Sequence, residues 1–308
     1  MSDETSRPPR FTGVMTVQRE GTELRPGRPR PLDLVRGIGY EVMPFRNTAQ
    51  DVVEHVPTTV PLSVTVTAAK GIDATLDLTE SLLRHGYAVT PHLPARQFVD
   101  GAHVADVVTR LREAGTRSVF VVGGDAPEPA GEFPDAYSLL RAMAAAGPPF
   151  EEVGIGGYPE GHAAIPPADL SRALRRKAPM ATRILTQICF DAGATASWAA
   201  GLAASGVSLP VHVGIPGPVN RQKLVRISAG LGLGQSARFL QKQQSLWWRF
   251  LLPGGYDPTR LARRLFAAVP KVESNVHALH VFTFNELRGT ELWRRRLLDV
   301  LSAGEDHR

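Results

Sequence analysis

Two acids stand where acids are costly. Glu41 lies in "GIGYEVMPFR" (37–46), among Tyr40, Val42, Met43 and Phe45. Asp125 ends another apolar run, "SVFVVGGDAP". A carboxylate in such surroundings is paired, hydrogen-bonded or used. Two acids in one pocket have their pKa values driven apart, which yields an acid and a base at neutral pH. The plainer alternative is a pair of structural carboxylates tied to arginine or backbone amides, and spacing alone does not choose. His92, in "TPHLP", suits a general base, a cofactor contact or a hydrogen-bonded structural residue. His162, in "YPEGH", sits on a Gly/Pro-bearing loop after a strand, where binding groups concentrate. Gln187, in "RILTQICF", is an amide in an apolar run and needs partners, from the interior or from a ligand. Cys189, two residues on, points the same way if the strand continues, and reads as a small core residue.

Other signals fail on inspection. Gly37 and Gly39 begin a G-x-G-x-x-G pattern, but Val42 occupies the third position. The turn "GGDAPEP" (123–129) is too short to specify phosphate, and no strong strand precedes "GLGLGQ" (230–235). His277 and His280 lack a cysteine or carboxylate at ligand spacing, so no metal site is expected. No G-x-S-x-G occurs.

The elements that must position these residues alternate. Apolar runs "GIGYEVMPF", "LSVTVTA", "AVTPHLP", "SVFVVGGD", "VGIGGYP", "RILTQICF", "VHVGIPG" and "LHVFTFNE" are separated by amphipathic stretches, several ending in glycine. Continuous apolar runs suit buried parallel strands. Eight strand–helix units in 308 residues predict an α/β fold, a (β/α)8 TIM barrel in one domain over 32–308. Residues 1–31, rich in Arg, Pro and Gly, read as an extension of low order or a strap. The stretch 239–269, with Trp247 and Trp248, reads as extra helices before the last strand, covering the barrel or contacting a second copy in a homo-oligomer. In a barrel the C-terminal strand ends form the site. Here these offer Glu41, Thr65, His92, Asp125, Tyr158, Glu160, His162, Gln187, Asn285 and Glu286.

Composition narrows the class. Hydrophobic residues make 43% and charged residues 21%, ordinary for a globular protein with a large core. The net charge of +5 is a small excess, and its basic runs fall in helical stretches without interleaved aromatics, which argues against nucleic acid. No apolar run reaches membrane-spanning length, and the first ten residues carry acids and no apolar core, so neither a membrane nor secretion is expected. The single cysteine forbids an internal disulfide, and the chain reads as cytoplasmic.

Taken in order, these runs resemble the methylenetetrahydrofolate reductases. "YEVMPFR" is similar to that family's F-E-F-x-P-P, "SVTVTA" to S-V-T-x-G-A, "VTPHLPA" to A-P-H-L-T, and "VVGGDAP" to R-G-D-x-P. "GYPEGH" is similar to A-Y-P-E-x-H, "RILTQICF" to T-Q-F-F-F, "VGIPGPVN" to P-G-I-x-P-x-x-N, and "LHVFTFN" to H-F-Y-T-L-N. The resemblance implies a barrel holding FAD and reducing 5,10-methylenetetrahydrofolate to 5-methyltetrahydrofolate with NADH or NADPH. It implies Glu41 as the acid that opens the methylene bridge to an iminium, and Asp125 as the carboxylate that stabilises the cation. Gln187 and Asn285 would face the folate. Thr65, His92, Gly124, Asp125, Tyr137, Tyr158, His162, Asp169 and Lys177 would face the cofactor. The sequence departs from the pattern at Gly123, where the family has arginine, and at Phe45, Ile188, Cys189, Glu286 and the "AAKGID" loop. These changes bear on FAD retention, since flavin-free reductases and a purely folate-binding barrel share the same frame.

Overall fold

In the computed structural model, residues 28–67, 69–162, 164–219 and 256–305 are described. Each of the eight apolar runs overlaps a strand, and the eight strands close into one parallel barrel in chain order. The strands are β1 (Gly39–Val42), β2 (Leu62–Val64), β3 (Val89–Pro94), β4 (Ser118–Val122), β5 (Glu152–Gly157), β6 (Arg183–Thr186), β7 (Val211–Pro216) and β8 (Val276–Phe282). Around them lie α1 (Pro31–Arg36), α2 (Thr48–His55), α3 (Gly71–Arg84), α4 (Gly101–Glu113), α5 (Ala136–Ala145), α6 (Pro167–Lys177), α7 (Ala192–Ala204), α8 (Thr259–Ala268) and α9 (Leu287–Glu305). The sequence did not announce α1, whose Leu34 and Val35 are buried. The expectations for residues 1–27, for "GLGLGQ" and for Trp247 and Trp248 lie outside the described residues.

Glycines end the helices for a geometric reason. Gly86 and Gly115 follow α3 and α4 at φ 85 and 82, a left-handed bend in which a side chain is strained. The residues after them, Tyr87 and Thr116, donate back to Leu82 and Leu111 at 3.2 and 2.9 Å, closing the orphan carbonyls.

Alternate strand residues face the helices. Tyr40, Val42, Leu62, Val64, Val119, Val121, Ile155, Ile184, Val213 and Ile215 join one apolar core with the helices' inner faces. The tyrosine's hydroxyl leaves that core by donating to Glu291 Oε2 of α9 at 2.9 Å, and Arg294 and Arg295 both bind the same carboxylate.

The other face of the strands lines the barrel, and it is unusually polar. Thr90 and Ser118 share a hydrogen bond of 2.6 Å, and Arg183 reaches Thr90 at 2.9 Å and Glu152 at 2.8 Å. Ser63 meets His280 Nε2 at 3.1 Å. Branched aliphatics are the usual filling of such barrels. Two glycines make this one fit: a Cβ on Gly39 would lie 3.3 Å from the His280 ring, and one on Gly154 would lie 2.9 Å from Phe120 and 3.5 Å from Arg183. The glycines of "GIGYEV" therefore serve the strand and its neighbour, not a phosphate.

Candidate functional site

The site grows from β1. Alternation turns Tyr40 and Val42 to the helices and Glu41 to the barrel axis, near the C-terminal end of the strand. Its side chain is 12% exposed. Burial is the whole cause of its acidity change: the carboxyl pKa is pushed up to about 8, so Glu41 holds its proton at neutral pH. Its backbone carbonyl accepts from Thr283 Oγ1 at 2.6 Å, which fixes the residue against β8.

His92 of β3 reaches across Ser63 to meet it. His92 Nε2 and Glu41 Oε2 lie 3.7 Å apart. That is ion-pair range but too long for a hydrogen bond, and the pair is neutral rather than ionic. Burial, then the field of Arg183, lower the His92 pKa to about 3. A neutral carboxyl thus sits beside a neutral imidazole. His212 behaves alike, lowered to about 3 by burial, Arg183 and His277, and His280 is lowered well below its ordinary range.

The exit of β1 is clamped from β8. Asn285 Oδ1 accepts from the Met43 amide at 2.8 Å, while Nδ2 donates to the Met43 carbonyl at 3.0 Å and to Thr48 Oγ1 at 2.8 Å. Phe284 and Asn285 both adopt left-handed backbone, φ 50 and 55, costly for non-glycine residues and concentrated at functional sites. The amide expected to face the folate thus also holds the strand end that carries the acid.

Asp125 lies exposed in the loop after β4. The loop is wound around one guanidinium: Arg96, just past β3, donates to the carbonyls of Ala126 at 2.9 Å, Pro127 at 2.8 Å and Pro134 at 3.1 Å. Its backbone NH also binds the Gly123 carbonyl at 3.0 Å. Gly124 stands at φ 88, a bend suited to glycine. Asp125 is close enough to Tyr158 that, after burial, its charge helps raise the Tyr158 pKa. The Tyr158 and His162 rings meet edge to face at 5.3 Å. Thr65 is half-buried at the end of β2, tied by its amide to the Val42 carbonyl at 3.0 Å.

Glu160 is placed differently from a reacting acid. Its Oε1 accepts from the amides of Phe190 at 2.6 Å and Asp191 at 2.8 Å, linking the β5 and β6 exits. Strand β6 stops at Thr186, so alternation does not carry Gln187 and Cys189 to one side. Gln187 stays half-buried at the rim, its Oε1 bound to the Ile188 amide at 2.8 Å. Cys189 turns into the core, where burial raises its thiol to about 12, an unreactive state. Next to Gln187, Phe190 and Val219 pack with Ile188, Tyr256 and Phe284 into a small apolar cluster at the mouth.

Away from Glu41, α5 and α6 form a basic face. Arg176 stacks over the Tyr137 ring at 4.2 Å, and Asp169 pairs with Arg172. A surface depression is lined by Ala168, Ser171, Arg172, Arg175 and Arg176. Lys177 is instead buried, its pKa lowered by burial against the opposing pull of Asp135. The cation that meets Tyr137 is therefore its neighbour Arg176. The sequence did not single out Arg183 or His212, and His280 was weighed only as a metal ligand beside His277. The signal was there: each is a polar residue at every second position of an apolar run. Among the described residues no group of three or more His, Cys, Asp or Glu is placed to hold a metal, and no helix is long and apolar enough to cross a membrane.

A closed parallel barrel with a buried acid near the C-terminal end of its first strand defines a (β/α)8 protein. Residues 43–232, more than half the chain, match the family model described as methylenetetrahydrofolate reductase, and the chain belongs to that family. Among solved structures, the chain is similar to a putative lyase/mutase from Burkholderia cenocepacia, with 18% identity, 92% of this chain and 84% of that chain covered, and a TM-score of 0.45. It is similar to dihydropteroate synthase from Thermus thermophilus, with 14% identity, coverage of 88% and 94%, and a TM-score of 0.44. It is also similar to a chain of the tryptophan synthase complex from Pyrococcus furiosus, with 9% identity, coverage of 88% and 99%, and a TM-score of 0.46. Likeness at this level says nothing of chemistry.

Proposed function

We propose that the protein reduces 5,10-methylenetetrahydrofolate to 5-methyltetrahydrofolate with NADH or NADPH, Glu41 serving as the proton donor. The observation that carries this reading is the Glu41 carboxyl buried near the end of β1, where burial pushes its pKa up to about 8. Opening the methylene bridge breaks a carbon–nitrogen bond, and the departing nitrogen needs a proton. A carboxyl that keeps its proton at pH 7 and loses it readily is suited to that task. The iminium left behind is a cation, and Asp125 supplies negative charge on the β4 loop. Gln187 and the apolar cluster beside it suit a flat heterocycle with hydrogen-bonding edges.

The residues of the basic face fit the phosphates of a dinucleotide. Arg172, Arg175 and Arg176, with Tyr137 beneath, would hold the pyrophosphate of FAD or of the nicotinamide nucleotide. Bound FAD would accept hydride from NAD(P)H and pass it to the iminium carbon. A specific observation favours a second reading, in which the nicotinamide delivers hydride directly. Gly123 offers no side chain where the family places arginine, and the guanidinium of Arg96, whose backbone NH binds the Gly123 carbonyl, is spent on three other loop carbonyls.

The experiment is NAD(P)H oxidation dependent on methylenetetrahydrofolate, run with wild type and Glu41→Gln, alongside the visible spectrum of the purified protein. Folate-dependent turnover that vanishes in the variant supports the reading. Flavin bands support the FAD route, and a colourless active protein the direct one. Folate binding without turnover would leave a binding protein and sink the reductase assignment.

A further inference from the structure

The nitrogen of His92 that faces Glu41 has no hydrogen-bond partner among the described residues, although it is buried. Buried polar atoms are nearly always satisfied. The ring is held in place by other contacts, edge-on against Phe120 at 4.7 Å. The neighbouring imidazole, His280, is committed to Ser63. The Glu41 carboxyl at 3.7 Å is thus the group this nitrogen faces, and neither side chain is more than 12% exposed.

We infer that His92 is a positioning residue for Glu41: its Nε2–H binds the carboxylate that Glu41 becomes on giving up its proton, and so governs how readily that proton leaves. This rests on the reading of Glu41 as the proton donor. In the step, the O–H bond of Glu41 breaks and an N–H bond forms on the folate. The electron pair stays on the carboxylate oxygen. His92 neither gains nor loses a proton; it closes from 3.7 Å to hydrogen-bond distance. Hydride then comes from NAD(P)H, and solvent restores the Glu41 proton after product leaves.

The barrel interior explains why His92 does not take the proton for itself. An imidazole beside a carboxyl ordinarily forms an ion pair, which would disarm the acid. Here the charged and titratable groups around the ring are Arg183 of β6 and His280 of β8, with His212 of β7 beyond, and Arg183 and His280 are coupled to it electrostatically. Burial first, and the charge of Arg183 second, disfavour a positive charge on the His92 ring. The proton therefore stays on Glu41 and the imidazole stays a donor.

The test follows the Glu41 carboxyl directly. The infrared band of a protonated buried carboxyl, assigned by its loss in Glu41→Gln, is titrated in wild type, His92→Leu and His92→Gln. In His92→Leu the band should persist to a pH higher by about one unit, and turnover should fall at least about tenfold while folate affinity holds within about threefold. His92→Gln, which keeps an N–H donor, should restore part of both. An unchanged band midpoint in His92→Leu overturns the inference. If neither variant folds, the imidazole nitrogens of wild type and Glu41→Gln are compared by NMR. A His92 Nε2 signal that moves with Glu41 ionisation only in wild type supports the pair, and one indifferent to Glu41 overturns it. A band that responds to His92 in a protein without folate turnover would keep the pair and refute the reductase reading.

Discussion

On the proposed reading, Glu41 owes its chemistry to burial alone. On that reading the acid must be protonated to act, so activity should fall as pH rises through about 8 in the free enzyme. Glu41→Gln should lower kcat by roughly 10²–10⁴, the usual worth of a general acid. Stability carries the opposite message. The folded pKa, about 8, lies above the ordinary 4.5, so the unfolded chain releases this proton first. The stability that Glu41 confers is full below pH 4.5 and is lost as pH rises to about 8. Denaturant titrations should therefore show Glu41→Gln gaining on wild type across that window, by up to roughly 5 kcal/mol. A gap that does not change with pH would mean that Glu41 is ionised in the fold. At this scale the sequence was informative because Glu41 was an exception, an acid in an apolar run. His280 and Arg183 broke the same pattern, but their partners, Ser63 and Thr90, come from strands far along the chain and could not be read locally.

Among the elements, the β8–α9 corner does more than complete the ring. Asn285 pins the β1 exit with three hydrogen bonds. Asn285→Ala should cost roughly 1–3 kcal/mol by stranding the Met43 amide and carbonyl. A thermal melt reads that loss, and a parallel drop in kcat would show that Glu41 had shifted with its strand. Farther from the mouth, Glu291 is pushed up by burial, but hydrogen bonds from Arg294, Arg295 and Tyr40 win and lower its pKa. Glu291→Ala leaves a tyrosine hydroxyl and a mostly buried arginine without their acceptor. It should destabilise the fold by about 3–5 kcal/mol, seen as a shifted urea midpoint, with KM nearly unchanged if the damage is confined to the α9 side. The strands and most helices were legible because their periodicity is local. Strand ends were not: β6 stops at Thr186, one residue before Gln187, because the chain turns there to hand its amides to Glu160, a contact 30 residues back.

For the whole molecule, the interior of the barrel sets the acid limit. His92 and His212 are neutral in the fold, with pKa values near 3 against an ordinary 6.5. Lowered values confer stability above pH 6.5 that is lost as pH falls toward 3. Calorimetric melts should therefore decline steeply below about pH 6, and His212→Gln should flatten that decline. An unaltered acid limb would place the His212 charge in solvent. The eightfold closure was readable from the count and spacing of apolar runs. The polar filling was not, since a threonine, a serine and an arginine join only after the sheet has curled.

That closure also has a consequence along the chain. β1 pairs with β8, register Glu41 to Phe282, across nearly the whole chain. The Thr283 bond to Glu41, the Asn285 clamp and the Tyr40–Glu291 bond all come from the same late segment. Without that segment docked, β1 would lack the partner strand that buries Glu41 on one side. The burial that raises the Glu41 pKa therefore depends on contacts made from the far end of the chain.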